Sequence, residues 1–432
     1  GSMSVGVQQI VSPHPTKFTH HGITVSCYIY IFDETPVRLW GLSSSQRIRR
    51  EIEWELSRKG EIPHQPSSAA IEFVDDLEQV PPEGDVVLLR GDYLYDVRVA
   101  TNLVDSADTL LQVSEDGAMV PVAAHTSPAA AARVMESIRD SRHELTDKLN
   151  VQTPETIVPK SQIRLKKAHA AFVLPISENN SRALEKHLFE TAYKGVTDLV
   201  TKWLWPTPAR WVTRLCVHLG LRPNHVTALS WVLAVLAGVL FYQGEFVAGL
   251  LTGWLMTFLD TVDGKLARVT VTSSPLGNYF DHVLDLVHPP LWYLAWGMGL
   301  AAFDPVLLNV SMSMMITLIF AGYIGGRLVE GIFSGMAKFD VFSWRPADSF
   351  NRLITARRNP CLIILTVSLL AGRPDLGLEA VALWTLASSL FLILRLGMAV
   401  YSRTTSGPLR SWLTEIDPNT AEQTLAARWF SQ

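Results

Sequence analysis

Cysteine is scarce. Cys27, Cys216 and Cys361 stand far apart with no Cys-x-x-Cys pair, which argues against a disulfide framework and a zinc site and fits a reducing compartment. An excess of positive charge is also missing. With 37 Lys and Arg against 41 Asp and Glu, a formal net charge of −4 and no long basic run, nothing points to nucleic acid as a partner. Residues 1–22 lack the apolar core of a signal peptide; Gly1-Ser2-Met3 reads as a tag remnant, the rest as a flexible start, and the N-terminus is expected in the cytoplasm. Finally, no closely spaced glycines follow the first strand-like run, Ile23–Phe32; Asp33-Glu-Thr-Pro-Val-Arg-Leu-Trp-Gly41 stands there instead. Without such glycines the backbone cannot wrap a triphosphate.

Apolar residues are plentiful. A hydrophobic share of 48% over 432 residues, with mean hydropathy +0.18, is high for a wholly soluble chain and places part of it in a membrane.

Residues 23–150 read as a soluble, cytoplasmic α/β domain with a doubly wound or mixed sheet, built on short apolar runs such as Ala69–Val74 and Val86–Leu89. Ser43–Arg58 and Ala129–Ile138 have helical patterns, the second with Ser127 to cap it and Pro128 at its first position. Residues 151–179, with Pro154 and Pro159, read as a linker or a connection between strands. In 180–222, Asn180–Leu204 is predicted as one amphipathic helix, with Leu184, Leu188, Ala192, Val196 and Leu199 on one side. Lys186, Lys194 and Lys202 interleave with that face, and Trp203, Trp205 and Trp211 would anchor it at a bilayer surface. Residues 223–403 form the membrane domain, a bundle of six transmembrane helices at about 224–243, 246–263, 281–303, 305–326, 360–373 and 377–401, followed by a cytoplasmic tail, 404–432. Thirteen basic residues, from Lys202 to Arg403, fall on one side of these spans and Arg373 alone on the other. The positive-inside rule then puts both termini in the cytoplasm and the chain in the inner membrane. Arg395 lies within the last span and would snorkel.

The chain is organised around two acidic pairs at the membrane border, Asp260 and Asp263 at i, i+3, and Asp281 and Asp285 at i, i+4. On helices each pair projects from one face, and two facing pairs make a box of carboxylates. Four unpartnered charges of one sign repel, so the arrangement calls for divalent metal, and oxygen-only ligands favour Mg²⁺, Mn²⁺ or Ca²⁺ over zinc.

The full pattern is D-x2-D-G-x2-A-R-x8-G-x3-D-x3-D, carried by Asp260, Asp263, Gly264, Ala267, Arg268, Gly277, Asp281 and Asp285. It resembles the signature of the CDP-alcohol phosphotransferases. Pro223-Asn-His-Val-Thr227 likewise resembles the Pro-Asn-x-x-Thr step that opens the family's first membrane helix. The resemblance implies transfer of a substituted phosphate from a CDP-linked donor to an alcohol, with release of CMP, and a homodimer in lipid. It implies two ions, Mg²⁺ or Mn²⁺, on Asp260, Asp263 and Asp281, with Asp285 as general base; a metal role for Asp285 also stays open. Asp260, Gly264, Ala267, Arg268, Gly277 and Thr227 would bind the nucleotide or donor. Arg327, Arg357 and Arg358 are candidates for a donor or acceptor phosphate, because guanidinium groups suit phosphate oxygens and lie near the site's side of the membrane; topology and lipid headgroups explain them equally well.

The run Val86-Val-Leu-Leu-Arg-Gly91-Asp92 resembles the Gly-Asp step of nucleotidyltransferases, although the glycine-rich loop is lacking, so a non-catalytic relative is expected. Together the two parts resemble the fused inositol-phosphate cytidylyltransferase and di-inositol-phosphate phosphate synthase proteins, which points to inositol phosphate as an acceptor. A bifunctional enzyme with an active cytidylyltransferase domain and a membrane cation transporter are the alternatives. Transport would need acids reaching both membrane faces, and these gather on one.

Overall fold

The computed structural model describes residues 25–60, 70–141, 148–159, 162, 165–273, 275–300, 311–416 and 424–430. The expected flexible start, 1–22, lies outside these residues.

The α/β domain is a six-stranded mixed sheet in the order β2-β1-β3-β6-β5-β7, from β1 (Val25–Phe32), β2 (Ala70–Val74), β3 (Asp85–Arg90), β5 (Thr109–Glu115), β6 (Ala118–Thr126) and β7 (Asn150–Gln152). A separate antiparallel pair joins β4 (Tyr93–Tyr95) to β8 (Val173–Pro175). Strand β1 runs parallel to both β2 and β3, and β3 antiparallel to β6. Val86–Leu89 of β3 are wholly buried, as a continuous apolar run covered on both faces requires. One face packs against Ile48 and Ile52 of α1 (Ser44–Gly60) and Val99 and Leu103 of α2 (Val97–Val104). The other packs against Ala131, Val134 and Ile138 of α3 (Pro128–Arg139). Pro128 opens α3 as expected, and Ser127 takes the cap position without a capping side-chain bond.

Residues 151–179 are not a free linker. They hold β8, the end of β7 and the short helix α4 (Pro154–Ile157), whose buried Ile157 joins the core of the sheet. The helix expected over Asn180–Leu204 is also broken, into α5 (Ser181–Thr191) and a π-helical turn, Val200–Leu204. Close approach of backbone explains the break: a Cβ at Gly195 would collide with the carbonyls of Lys166 and Phe430, and Gly195 N donates to Leu165 O at 3.0 Å. Tertiary packing overrides the apolar periodicity there. Helix α5 turns its apolar face to the α/β domain, with Trp40 Nε1 donating to Glu185 O at 2.9 Å.

The helices that follow are α6 (Pro206–His218), α7 (Pro223–Tyr242), α8 (Phe246–Val269), α9 (Pro275–Gly299), α10 (Met312–Ala337), α11 (Pro346–Ile354), α12 (Arg358–Leu370), α13 (Pro374–Ser406) and α14 (Leu425–Phe430). Among the described residues α7, α8, α10 and α13 are long and apolar enough to cross a membrane, and α11 with α12, bent by 45°, makes a fifth span if counted as one. Helix α9 runs 25 residues beside them, although several of its side chains lie outside the described residues. Helix α10 overlaps the span expected at 305–326 from Met312 onward and continues to Ala337. Trp292 Nε1 donates to Ala234 O at 2.8 Å and Trp296 Nε1 to Pro374 O at 3.0 Å, so the bundle satisfies these two buried indoles internally.

Arg395 does not snorkel. Its Nε and a terminal nitrogen meet both carboxylate oxygens of buried Asp348 at 2.5 and 2.7 Å. The tail packs as well: Trp412, Leu413 and Phe430 join Phe342 and Trp344 in one core.

The α/β domain and the bundle share a third core, where Leu39 and Trp40 meet Leu188, Phe189, Val262 and Leu266. Buried Arg47 of α1 donates to Val269 O at 2.7 Å, closing the C-terminal end of α8.

Candidate active site

Asp260 and Asp263 lie one turn apart on α8, and Asp285 on α9. Arg358, at the first position of α12, joins two of them. One terminal nitrogen meets Asp285 Oδ1 at 2.7 Å and the other Asp260 Oδ2 at 2.6 Å. The Asp260 carboxylate is largely buried, whereas that of Asp285 is 48% exposed. The Thr227 hydroxyl, in the first turn of α7, donates to Asp263 Oδ2 at 2.6 Å. The sequence places Thr227 with the donor; the structure sets it against a motif carboxylate. Gly277 and Asp281 belong to α9, but their side-chain surroundings lie outside the described residues.

Arg357 and Arg327 converge elsewhere, on Glu330 of α10. Arg357 meets Glu330 Oε2, as does Arg327 at 3.3 Å. Tyr323, below Arg327, donates its hydroxyl to Asp285 O at 3.0 Å, which links this cluster to the acids.

On α8, a Cβ at Gly264 would meet, among the described residues, only the Arg268 guanidinium, at 3.8 and 3.9 Å. Arg268 and Lys265 both donate to Ala192 O, at 3.1 and 3.3 Å, at the C-terminal end of α5. His288 Nδ1 donates to Leu284 O at 2.6 Å and its ring packs on Trp292, a structural role.

Residues 221–385 match the family model for CDP-alcohol phosphatidyltransferase. The chain carries a CDP-alcohol phosphatidyltransferase domain. It is similar to an archaetidylinositol phosphate synthase of Pyrococcus horikoshii, 31% identical over 26% of this chain and 59% of that protein. It is also similar to a bifunctional IPC transferase and DIPP synthase of Thermococcus kodakarensis (30%, over 24% of this chain and 28% of the relative). A third relative is cholinephosphotransferase 1 of Gallus gallus (33%, over 26% and 36%). The chain thus spans 59% or less of the length of these relatives.

Within the CDP-alcohol phosphatidyltransferase domain, no three carboxylate, imidazole or thiol groups among the described residues gather as a metal cluster; Asp281's side chain is not one of them. The donor chemistry nevertheless fits hard divalent cations. The motif offers oxygen only, and Asp260 and Asp285 already accept one cationic group, the Arg358 guanidinium, between them.

The nucleotidyltransferase-like residues are differently engaged. Asp92 is held by Arg90, Nε at 2.9 Å and a terminal nitrogen at 2.6 Å. A Cβ at Gly91 would approach Glu34 Cα to 2.8 Å, so this glycine lets the segment after β1 pass. Glu34 accepts from Ser45 N at 3.2 Å and Ser45 Oγ at 2.6 Å, which puts an acid at the first turn of α1.

Sequence reasoning missed Glu330, although its i+3 spacing from Arg327 is a signal. It also missed Asp198, buried and accepting from Asn359 Nδ2 at 2.9 Å; no local pattern links residues that far apart.

Proposed function

We propose that this chain is a membrane CDP-alcohol phosphotransferase. It moves a substituted phosphate from a CDP-linked donor, CDP-diacylglycerol or a CDP-polyol, to an alcohol, and releases CMP. The observation that carries this reading is the convergence of Asp260, one turn before Gly264 on α8, and Asp285 of α9 on one guanidinium. The name of the archaetidylinositol phosphate synthase supports inositol phosphate as the acceptor.

Asp285 is more exposed than Asp260, and it is placed as general base. The acceptor oxygen attacks the donor phosphorus next to the CMP moiety, Asp285 takes the hydroxyl proton, and the bond from that phosphorus to the bridging oxygen breaks, so the electron pair leaves with CMP. Asp260, Asp263 and Asp281 would hold two divalent ions, Mg²⁺ or Mn²⁺, which when bound neutralise the diphosphate. Gly264 and Ala267 leave room for the nucleotide, and Arg268 is directed to its phosphates. Arg358 belongs with the acids, while Arg327 and Arg357, oriented by Glu330, form the phosphate side of the acceptor site.

Helix α9 and the bent pair complete a six-span bundle with α7, α8, α10 and α13. The interfacial segment is the turn at Val200–Leu204 with α6, where Trp203, Trp211 and Leu215 are exposed. The basic loops put the site and the soluble domain on the cytoplasmic side of the inner membrane. We place the protein as a homodimer and its α/β domain as a non-catalytic nucleotidyltransferase relative, because Glu34 and the Arg90-held Asp92 oppose a triphosphate there.

The test is CMP release by the purified protein in detergent with Mg²⁺ or Mn²⁺, over a panel of CDP donors and alcohol acceptors. Metal-dependent release with at least one pair is expected. No release with any pair would refute the reading.

A further inference from the structure

Helix α8 carries Gly264, Ala267 and Arg268 of the motif in its last two turns and ends at Val269. The carbonyls of a final helical turn have no partner within the helix and need donors from elsewhere. Here the α/β domain supplies them. A terminal nitrogen of Arg47 donates to Val269 O at 2.7 Å, and one of Arg50 to Thr270 O at 3.1 Å. Both arginines belong to α1, and both place a cation at the negative end of the α8 dipole.

Arg47 is not a surface cap. It is 3% exposed, and the nitrogen that reaches Val269 also donates to Leu39 O at 3.1 Å, in the segment leading into α1. Its other terminal nitrogen meets Glu51, one turn on, at 3.5 Å. A buried guanidinium shared among these acceptors fixes the spacing between α1 and the end of α8. The side chains of the same turns are gripped from α5. Arg268 and Lys265 donate to Ala192 O at its C-terminal end, and Trp40 N ties α5 back to the α/β domain by donating to Glu185 Oε1 at 3.1 Å. All of these holding groups precede residue 221, where the family match begins. Parts of the chain that carry none of the motif therefore position the end of the motif helix.

We propose that the α/β domain is a positioning element of the transferase: through Arg47 and Arg50 it holds the last turn of α8 so that Gly264, Ala267 and Arg268 meet the CDP moiety of the donor. Arg47 is then a positioning residue, which acts through the Val269 backbone and touches no substrate. The acceptor side, Arg327 and Arg357 on Glu330, is built on α10 and the start of α12 and lies outside this grip. Donor affinity, rather than acceptor affinity, is what the α/β domain sets.

This inference rests on the transferase reading, and the experiment keeps the two apart. CMP release by the full chain is compared for wild type, Arg47→Ala, Arg47→Lys and Arg50→Ala, varying in turn the donor, CDP-diacylglycerol or CDP-inositol, and the acceptor, inositol phosphate. Loss of the charge-assisted bond in Arg47→Ala should raise the donor KM about tenfold and leave the acceptor KM within about twofold of wild type. Arg47→Lys keeps a cationic donor for Val269 O and should fall between the two. Arg50→Ala, at the exposed bond, should raise the donor KM about three- to fivefold. Donor and acceptor KM both unchanged, whatever the melting temperature, or both raised equally, would show a merely structural bond and overturn the proposal. Should Arg47→Ala not fold, Arg50→Ala decides, and a donor KM equal to wild type overturns it.

If wild type releases no CMP with any pair, the transferase reading fails, and calorimetric titration with CMP still tests the grip on α8. Weaker binding in Arg47→Ala and Arg50→Ala than in wild type supports it. Equal binding, or none to wild type, overturns it.

Discussion

The Thr227 hydroxyl donates to Asp263 Oδ2 over 2.6 Å, so the first turn of α7 fixes one carboxylate of the motif on α8. A partner that orients a metal-binding carboxylate typically changes metal affinity by about 10- to 100-fold when removed. Thr227→Val should therefore raise the Mg²⁺ concentration for half-maximal CMP release by that order, while Thr227→Ser stays near wild type. An unchanged Mg²⁺ requirement in Thr227→Val would separate Asp263 from the metal site.

Arg358 supplies positive charge to both Asp260 and Asp285. Its removal leaves these acids facing one another without their common partner, at a cost on the order of 3–5 kcal/mol for a broken buried pair. Some of that cost is relieved at the exposed Asp285. Without added metal, Arg358→Ala should melt below wild type, and Mg²⁺ should raise its melting temperature by more than it raises that of wild type. Equal Mg²⁺ shifts would show that guanidinium and metal do not share the acids.

The soluble domain should not form CDP-alcohol from CTP. Glu34 accepts two bonds from Ser45 at the start of α1, and an acid there repels a triphosphate. The full chain, given CTP, Mg²⁺ and inositol phosphate, is expected to release no pyrophosphate above background. Release at a rate matching CMP production would identify a working cytidylyltransferase.

Asp96 gives the soluble domain a defined acid sensitivity. Burial alone would raise its carboxyl, but His169 at 3.6 Å and the Arg98 guanidinium, which donates to it at 2.6 Å, outweigh burial and hold it well below its ordinary 3.8. A carboxyl depressed in the folded state contributes its full stability above the unfolded value and loses it as pH falls through the folded one. Thermal unfolding of the full chain should thus weaken as pH drops below about 4. Asp96→Asn should lose about 3–5 kcal/mol at neutral pH and show a flatter acid profile. An unaltered acid profile in Asp96→Asn would place the sensitivity elsewhere.

How much was legible in the sequence depended on range. Asp260, Asp263 and Asp285 stood out as candidates because helical spacing marks acidic pairs on one face, and Val86–Leu89 showed as a strand because an unbroken apolar run needs cover on both sides. Local pattern misled at Asn180–Leu204, where the periodicity is real but Gly195 must pass between the backbones of Lys166 and Phe430. It also assigned Arg395 to the bilayer surface, since its partner Asp348 lies on another helix. Arg358 read as a phosphate ligand for the same reason: only the folded chain brings it between Asp260 and Asp285.

The most direct test is the turnover of Asp285→Asn, measured as CMP release with saturating Mg²⁺, donor and acceptor. As the general base, Asp285 should account for a fall of about 10²- to 10⁴-fold in kcat, with the melting temperature close to wild type. Turnover equal to wild type would contradict the assignment on which the mechanism stands.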